Sequence, residues 1–224
     1  MTPPSALRLP PSGPPPHLIL ASRSPRRAHL LREAGYMFTQ ADPPFDDPPQ
    51  PEKTADPAAL ALNLALAKAR SVASYDRAGQ REPAIVLGAD TIVVAPDGLL
   101  LGQPADRGEA ERMLRLLLGR FHEVISAVAL VMVAADTQGR KDTPPRTLVD
   151  RARVRFGPVT EPALGCYLDS GDWLGKAGAY NLSELRNHWA FEVIGDADTV
   201  VGLPMVKLRS ILGEMGLTPA RAQQ

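Results

Sequence analysis

One cysteine, Cys166, stands in 224 residues, which excludes an intrachain disulfide framework and any multi-cysteine metal cage. A reducing, cytoplasmic setting suits that usage. Net charge is missing as well, because 25 basic residues balance 25 acidic ones. No global field therefore recruits nucleic acid or an anionic membrane, and any anion site must be local. Aromatics make up only 5% of the chain, which argues against a base-stacking surface for nucleic acid. No apolar run approaches a membrane span, and the N-terminus lacks the basic-then-apolar order of a signal peptide. What remains is enough length to bury a full core, as one large domain or two small ones.

Proline, by contrast, is plentiful. Seven of the first sixteen residues are proline, so 1–16 reads as a disordered or extended tail. A second proline-rich and acidic stretch, Asp42 to Glu52, argues against regular structure. Within it the paired carboxylates Asp46 and Asp47 could face a cation.

The apolar run His17–Ala21 reads as a buried strand, followed by a helix to about Ala34 and a second strand at Tyr36–Phe38. Asp56-Pro57 caps a helix whose Ala/Leu run, Ala58 to Ala73, is apolar on nearly every side and so must be packed over most of its surface. Lys68 interrupts it. Strands are expected at Ala84–Leu87, Thr91–Val94, Leu99–Leu101, Glu123–Ala134, Arg146–Phe156 and Trp189–Ile194. Helices are expected after Asp106, where Glu109 completes a capping box, after Thr160, and from Pro204 through Leu212. Polar loops fall at Asp76–Glu82 and Ala135–Pro145, and the end after Gly216 reads as frayed. Mixed helices and strands with no internal repeat make the fold class α/β, or α+β.

Two stretches carry chemistry. In Ser22-Arg23-Ser24-Pro25-Arg26-Arg27 a strand turns straight into a helix, with Ser24 as N-cap and Pro25 at the first helical position. Unpaired N–H groups, the positive end of the helix dipole and the arginines make this an anion site, most naturally for phosphates. Taken alone, it reads equally well as an ordinary capped helix with solvated arginines. In Gly88-Ala89-Asp90 a glycine and a bare carboxylate interrupt two β-rich runs, a poor choice for a packed strand. Such local failures mark functional sites, so Asp90 is the first candidate for a metal ligand or general base. A simple turn aspartate is the alternative.

These pieces resemble the Maf family of nucleotide pyrophosphatases. The match includes the strand with its Pro-Arg-Arg turn and, in order, Lys68-Ala69, Gly88-Ala89-Asp90-Thr91, and Gly119-Arg120-Phe121-His122-Glu123-Val124. Lys176-Ala177-Gly178-Ala179-Tyr180 and Val200-Val201-Gly202-Leu203-Pro204 complete it. The resemblance runs from about Leu18 to Gly213 and implies one domain over 17–216, between the 1–16 tail and a frayed 217–224. It implies an elongated mixed sheet flanked by helices, in two lobes around a central cleft, a fold shared with inosine triphosphate pyrophosphatases. The implied activity is hydrolysis of nucleoside triphosphates to monophosphate and pyrophosphate with a divalent cation, Mg²⁺ or Mn²⁺. The implied setting is a cytoplasmic protein, often a homodimer, that clears non-standard or surplus nucleotides.

By position, the resemblance makes Asp90 the catalytic acceptor and Ser22, Arg26, Arg27 and Lys68 the phosphate ligands. It gives Arg27 and Thr91 a bearing on substrate choice. Asp47 stands where the family has glutamate, and with Asp90 would hold the metal. Two departures touch specificity: Gln103 replaces a lysine, and Ser183 replaces an amide that reads the base. The family has also been linked to inhibition of septum formation, so the alternative is a non-catalytic nucleotide-binding regulator, favoured by the lost lysine and disfavoured by intact Asp90.

Overall fold

The computed structural model describes residues 16–49, 51–76, 83–133 and 143–220. The proline-rich 1–15, most of both polar loops and 221–224 lie outside the described residues. Seven strands form one mixed sheet: β1 (His17–Ala21), β2 (Thr39–Ala41), β3 (Ala84–Val94), β4 (Leu100–Leu101), β5 (His122–Val133), β6 (Arg146–Phe156) and β7 (Phe191–Ile194). Its order is β2-β1-β3-β5-β6-β7, parallel from β2 to β3 and antiparallel from β3 to β7, with β4 also paired to β3. The described helices are α1 (Pro25–Glu33), α2 (Pro57–Asp76), α3 (Arg107–Leu117), α4 (Glu161–Ser170), α5 (Leu182–Leu185), α6 (Ala197–Val201) and α7 (Met205–Glu214). A 3-10 turn, Ala177–Ala179, precedes α5.

Alternation along the strands divides the core. Leu18 and Leu20 of β1, with Ile85 and Leu87 of β3, pack against α1 and α7. Ile19, Ala21, Val86 and Ile92 face the other way, onto Ala61, Ala65 and Ala69 of α2. Most of α2 is covered, and only Ala59, Asn63, Arg70 and Ser74 are exposed among its described side chains. That agrees with its all-round apolar run. A second lobe gathers α3, α4 and α5 around Val124, Phe156, Tyr167 and Trp189.

The caps form as their sequences imply. Ser24, Asp56, Asp106 and Thr160 each accept a backbone N–H three residues on, each contributing about 1 kcal/mol. Three expectations need correction. The second strand is Thr39–Ala41 rather than 36–38, because Tyr36 turns into the core beside α1. The last strand begins at Phe191, leaving Trp189 in the second lobe's core. The packed chain also passes Gly216: Leu217 is buried, and the Ala220 N–H donates to the Gly35 carbonyl at 2.8 Å.

Candidate active site

The expected break at Gly88-Ala89-Asp90 is not a break. β3 runs unbroken from Ala84 to Val94 and pairs with β5 along its whole length. The irregularity lies on its opposite edge. There β1 ends at Ala21, opposite Gly88, and β4 begins pairing only at Val93. Residues 89–92 are thus left without a strand on that side, and a cavity of about 540 Å³ opens against them. Its walls come from both lobes and from the turn leaving β1.

Gly88 explains its own presence. A Cβ there would lie 2.3 Å from the Ala65 carbonyl oxygen and 2.6 Å from the Ala69 nitrogen. Only glycine lets α2 cross the strand this closely. The crossing brings Lys68 to Asp90, which shares the α2 face of β3 with Gly88. Lys68 Nζ bridges two carboxylates, at 2.7 Å from Asp90 Oδ1 and 2.8 Å from Asp47 Oδ1. Asp90 is only 6% exposed, and its Oδ2 is buried without a hydrogen-bond partner. Burial pushes the Asp90 carboxyl above the usual carboxylate range, against the pull of Lys68 and Arg27, and neighbouring Asp47 adds to the rise. A raised, half-satisfied carboxylate at a cavity wall is suited to taking up a proton.

The arginine turn brings Ser22, Arg26 and Arg27 to the same cavity. The three arginines do different things. Arg23 is turned outward onto Asp42. Arg27 donates from Nε to the Gly202 carbonyl at 3.1 Å, from Nη1 to Ser22 Oγ at 3.2 Å and from Nη2 to Thr91 Oγ1 at 3.0 Å. Gly202 has φ of +126°, and a Cβ on it would stand 3.1 Å from Arg27 Nε, so this glycine clears the guanidinium's seat. Arg26 is half-buried and, among the described residues, has no ion pair. Burial lowers the pKa of both Arg26 and Arg27, yet a guanidinium stays charged, so each is a cation poorly served by water.

The specificity candidates separate. Thr91 and Gln103 line the cavity, Gln103 with an exposed side chain. Ser183 does not line it. Its side chain is exposed on the first turn of α5, and its N–H donates to Asn181 Oδ1 at 3.4 Å. Besides Gln103, the side-chain amide that lines the cavity is Asn181, which is 6% exposed. The other loop cation, Lys176, is buried and held by the Glu184 carboxylate and the Asp172 carbonyl, so it does not take the place of the lysine absent at 103. Tyr180, another lining residue, bonds His122 Nε2 through its hydroxyl at 2.7 Å. Burial drives the His122 pKa down to about 4, so the ring is neutral at ordinary pH.

Sequence reasoning singled out neither Asn181 nor Ser126, whose fully buried Oγ lies 2.9 Å from Thr91 Oγ1. The signal for Ser126 was available: a lone hydroxyl inside an otherwise apolar stretch of β5. No group of three or more His, Cys, Asp or Glu side chains among the described residues is placed to hold a metal. Asp47 and the unpartnered Asp90 Oδ2 nevertheless fit Mg²⁺ or Mn²⁺, which take few protein carboxylates and complete their shell with phosphate oxygens and water. No described helix is long and apolar enough to cross a membrane.

Comparison with known proteins is consistent with this geometry. A family model described as Maf-like protein matches residues 17–215. A dTTP/UTP pyrophosphatase of Symbiobacterium thermophilum is 42% identical over 200 residues, covering 89% of this chain and 94% of the relative. The protein of the same name from Hahella chejuensis is 38% identical over 200 residues, covering 89% and 92% respectively. One from Bordetella parapertussis is 38% identical over 207 residues, covering 91% and 94%.

Proposed function

The chain belongs to the Maf family, and on that footing we propose that it is a nucleoside triphosphate pyrophosphatase whose base is Asp90 and whose preferred substrates are dTTP and UTP. The observation that carries the reading is the buried Asp90 carboxylate, with one oxygen on Lys68 and the other unpartnered, in a cavity that Arg26 and Arg27 also line. With the triphosphate on the arginine turn, Asp90 takes a proton from water as the water oxygen attacks the α-phosphorus. The bond from that phosphorus to the α,β-bridging oxygen breaks, and pyrophosphate leaves with the electron pair. Arg26 and the two uncommitted N–H groups of Arg27 meet the charge gathering on the phosphates, and Ser22 and the N-terminus of α1 add donors. Lys68 holds Asp90 in place and keeps part of its charge compensated. A divalent cation held by Asp47 and Asp90 would neutralise phosphate charge and orient the chain of phosphates. The proposed setting is the cytoplasm, where Cys166 stays reduced, and the homodimer that the family implies is open to light scattering.

Base choice is assigned to Asn181. An N–H can be accepted only by the amide oxygen, so the bond from Ser183 engages Oδ1 and leaves Nδ2 as the group free to donate to a ligand in the cavity that Asn181 lines. The 3-10 turn before it packs Gly178 against Val93, three residues or about 10 Å along β3 from Asp90, which leaves room for a ribose and its base. A donor there suits the O4 carbonyl of uracil or thymine and meets the amino group of cytosine unfavourably. A panel of ribo- and deoxynucleotides with Mg²⁺ or Mn²⁺ tests both parts. UTP and dTTP should yield monophosphate and pyrophosphate well ahead of CTP, and Asn181→Ala should shrink that margin while activity persists. An unchanged margin in the variant removes Asn181 from base reading.

A further inference from the structure

Arg27 stands at the head of a row of two hydroxyls, half-buried Thr91 and fully buried Ser126, that the reaction itself does not use. Thr91 Oγ1, which accepts from Arg27 Nη2, lies 2.9 Å from Ser126 Oγ. Ser126 Oγ in turn lies 2.7 Å from the carbonyl oxygen of Thr199 on α6. The direction of every proton follows from the inventory of donors. A hydroxyl has one proton and two lone pairs, and a carbonyl only accepts. Ser126 must therefore spend its proton on Thr199, so the proton between Thr91 and Ser126 belongs to Thr91. The row runs one way: Arg27 N–H to Thr91, Thr91 O–H to Ser126, Ser126 O–H to the Thr199 carbonyl.

Two consequences are chemical. Bonds in series with the same sense polarise one another, and the guanidinium charge heads the series. Thr91 is left with no proton to give, only a lone pair, which an anionic phosphate oxygen avoids. Thr91 thus serves Arg27 rather than the phosphates. The far end is anchored too. Thr199 Oγ1 donates to Asp150 Oδ2 at 2.7 Å, and the Lys207 ammonium binds the other oxygen of Asp150. Past the other end of α6, Gly202 accepts from Arg27 Nε. The arginine fork is gripped from β3 and from the α6 side at once.

We propose that Ser126, fully buried and out of reach of the cavity, is a positioning residue that sets the orientation of the Arg27 fork through Thr91. This rests on the phosphate role of Arg27 given above. Removing the Ser126 hydroxyl leaves Thr91 without its acceptor and the Thr199 carbonyl without its donor. The fork then loses its fixed aim while every group that would touch substrate stays present.

The test is a double-mutant cycle on kcat and KM with the best nucleotide of the wild-type panel. Ser126→Ala should lower kcat/KM about tenfold, mostly in kcat, in a protein with native circular dichroism. In the Arg27→Ala background the same change should cost less than about twofold, because its route is already gone. Equal losses in both backgrounds, or none in a folded Ser126→Ala, overturn the proposal. Should Ser126→Ala not fold, Ser126→Cys, which is slightly larger and a weaker donor, goes through the same cycle and is judged the same way. Arg27→Ala that binds a non-hydrolysable triphosphate as tightly as wild type is a different result, and removes the phosphate role itself.

Discussion

Gly88→Ala tests how the site is assembled, because it touches no substrate and adds one methyl group. The added Cβ would begin 2.3 Å from the Ala65 oxygen, 2.6 Å from the Ala69 nitrogen and 2.9 Å from the Ala69 Cβ. All three atoms belong to α2, two of them to its backbone, so no side-chain rotation relieves the contact. Bringing the nearest approach to ordinary contact requires α2 to retreat by about 1 Å, near the upper end of what overpacking costs, about 3 kcal/mol. The same retreat draws Lys68 off Asp90, a contact now at 2.7 Å, beyond hydrogen-bond range. Urea unfolding should show a lower midpoint with an unchanged slope, and turnover should fall on the order of a hundredfold, as misplacements of 1 Å do. A midpoint and a rate both near wild type would refute the claim that close helix–strand crossing builds the Lys68–Asp90 pair.

Asp90 works as a base only when ionised, and its folded pKa is raised by burial, so kcat/KM should fall on the acid side at a pH above the ordinary carboxylate range. Lys68→Met, which removes an opposing cation, should move that limb higher still, and a limb that stays put separates Lys68 from Asp90. For His122 the sign is opposite. Its folded pKa of about 4 lies below the unfolded value near 6.5, so the stability it secures is full above 6.5 and lost as pH falls toward 4, about 3 kcal/mol in all. His122→Asn should therefore show a shallower acid slope in chemical denaturation between those pH values, and an equal slope contradicts a buried neutral ring. Gln103→Lys should raise turnover more than it tightens binding, since charge on the leaving pyrophosphate grows in the transition state and Lys176 is already committed to Glu184. Unchanged rates with every nucleotide and metal would place Gln103 outside the site.

The caps, the all-round packing of α2, and the arginine turn were legible because each depends on residues within a few positions of one another. So was the singling out of Asp90, which does stand at the cavity wall, though it was picked for a partly mistaken reason. Gly88 and Asp90 looked like a strand break because β-propensity counts each residue alone. In the folded chain the glycine answers to Ala65 and Ala69, and the aspartate to Lys68, contacts set by helix crossing and invisible to local rules. Long-range order also decided what the arginines do. Nothing within the turn distinguishes Arg23, which faces Asp42, from Arg27, which is seated against Gly202 some 175 positions away. That Asn181 rather than Ser183 lies at the cavity wall has a similar origin. Family register pointed to 183, but the short helix α5 turns that side chain to solvent and leaves its capping residue at the cavity wall.

The most direct measurement is product analysis by mass spectrometry after turnover in ¹⁸O-labelled water, run on wild type and on Asp90→Asn. Attack at the α-phosphorus with Asp90 as base predicts label in the nucleoside monophosphate, none in pyrophosphate, and a rate in Asp90→Asn lower by about a hundredfold or more with native melting. Label in the pyrophosphate, or a folded Asp90→Asn that turns over at close to the wild-type rate, would contradict the account.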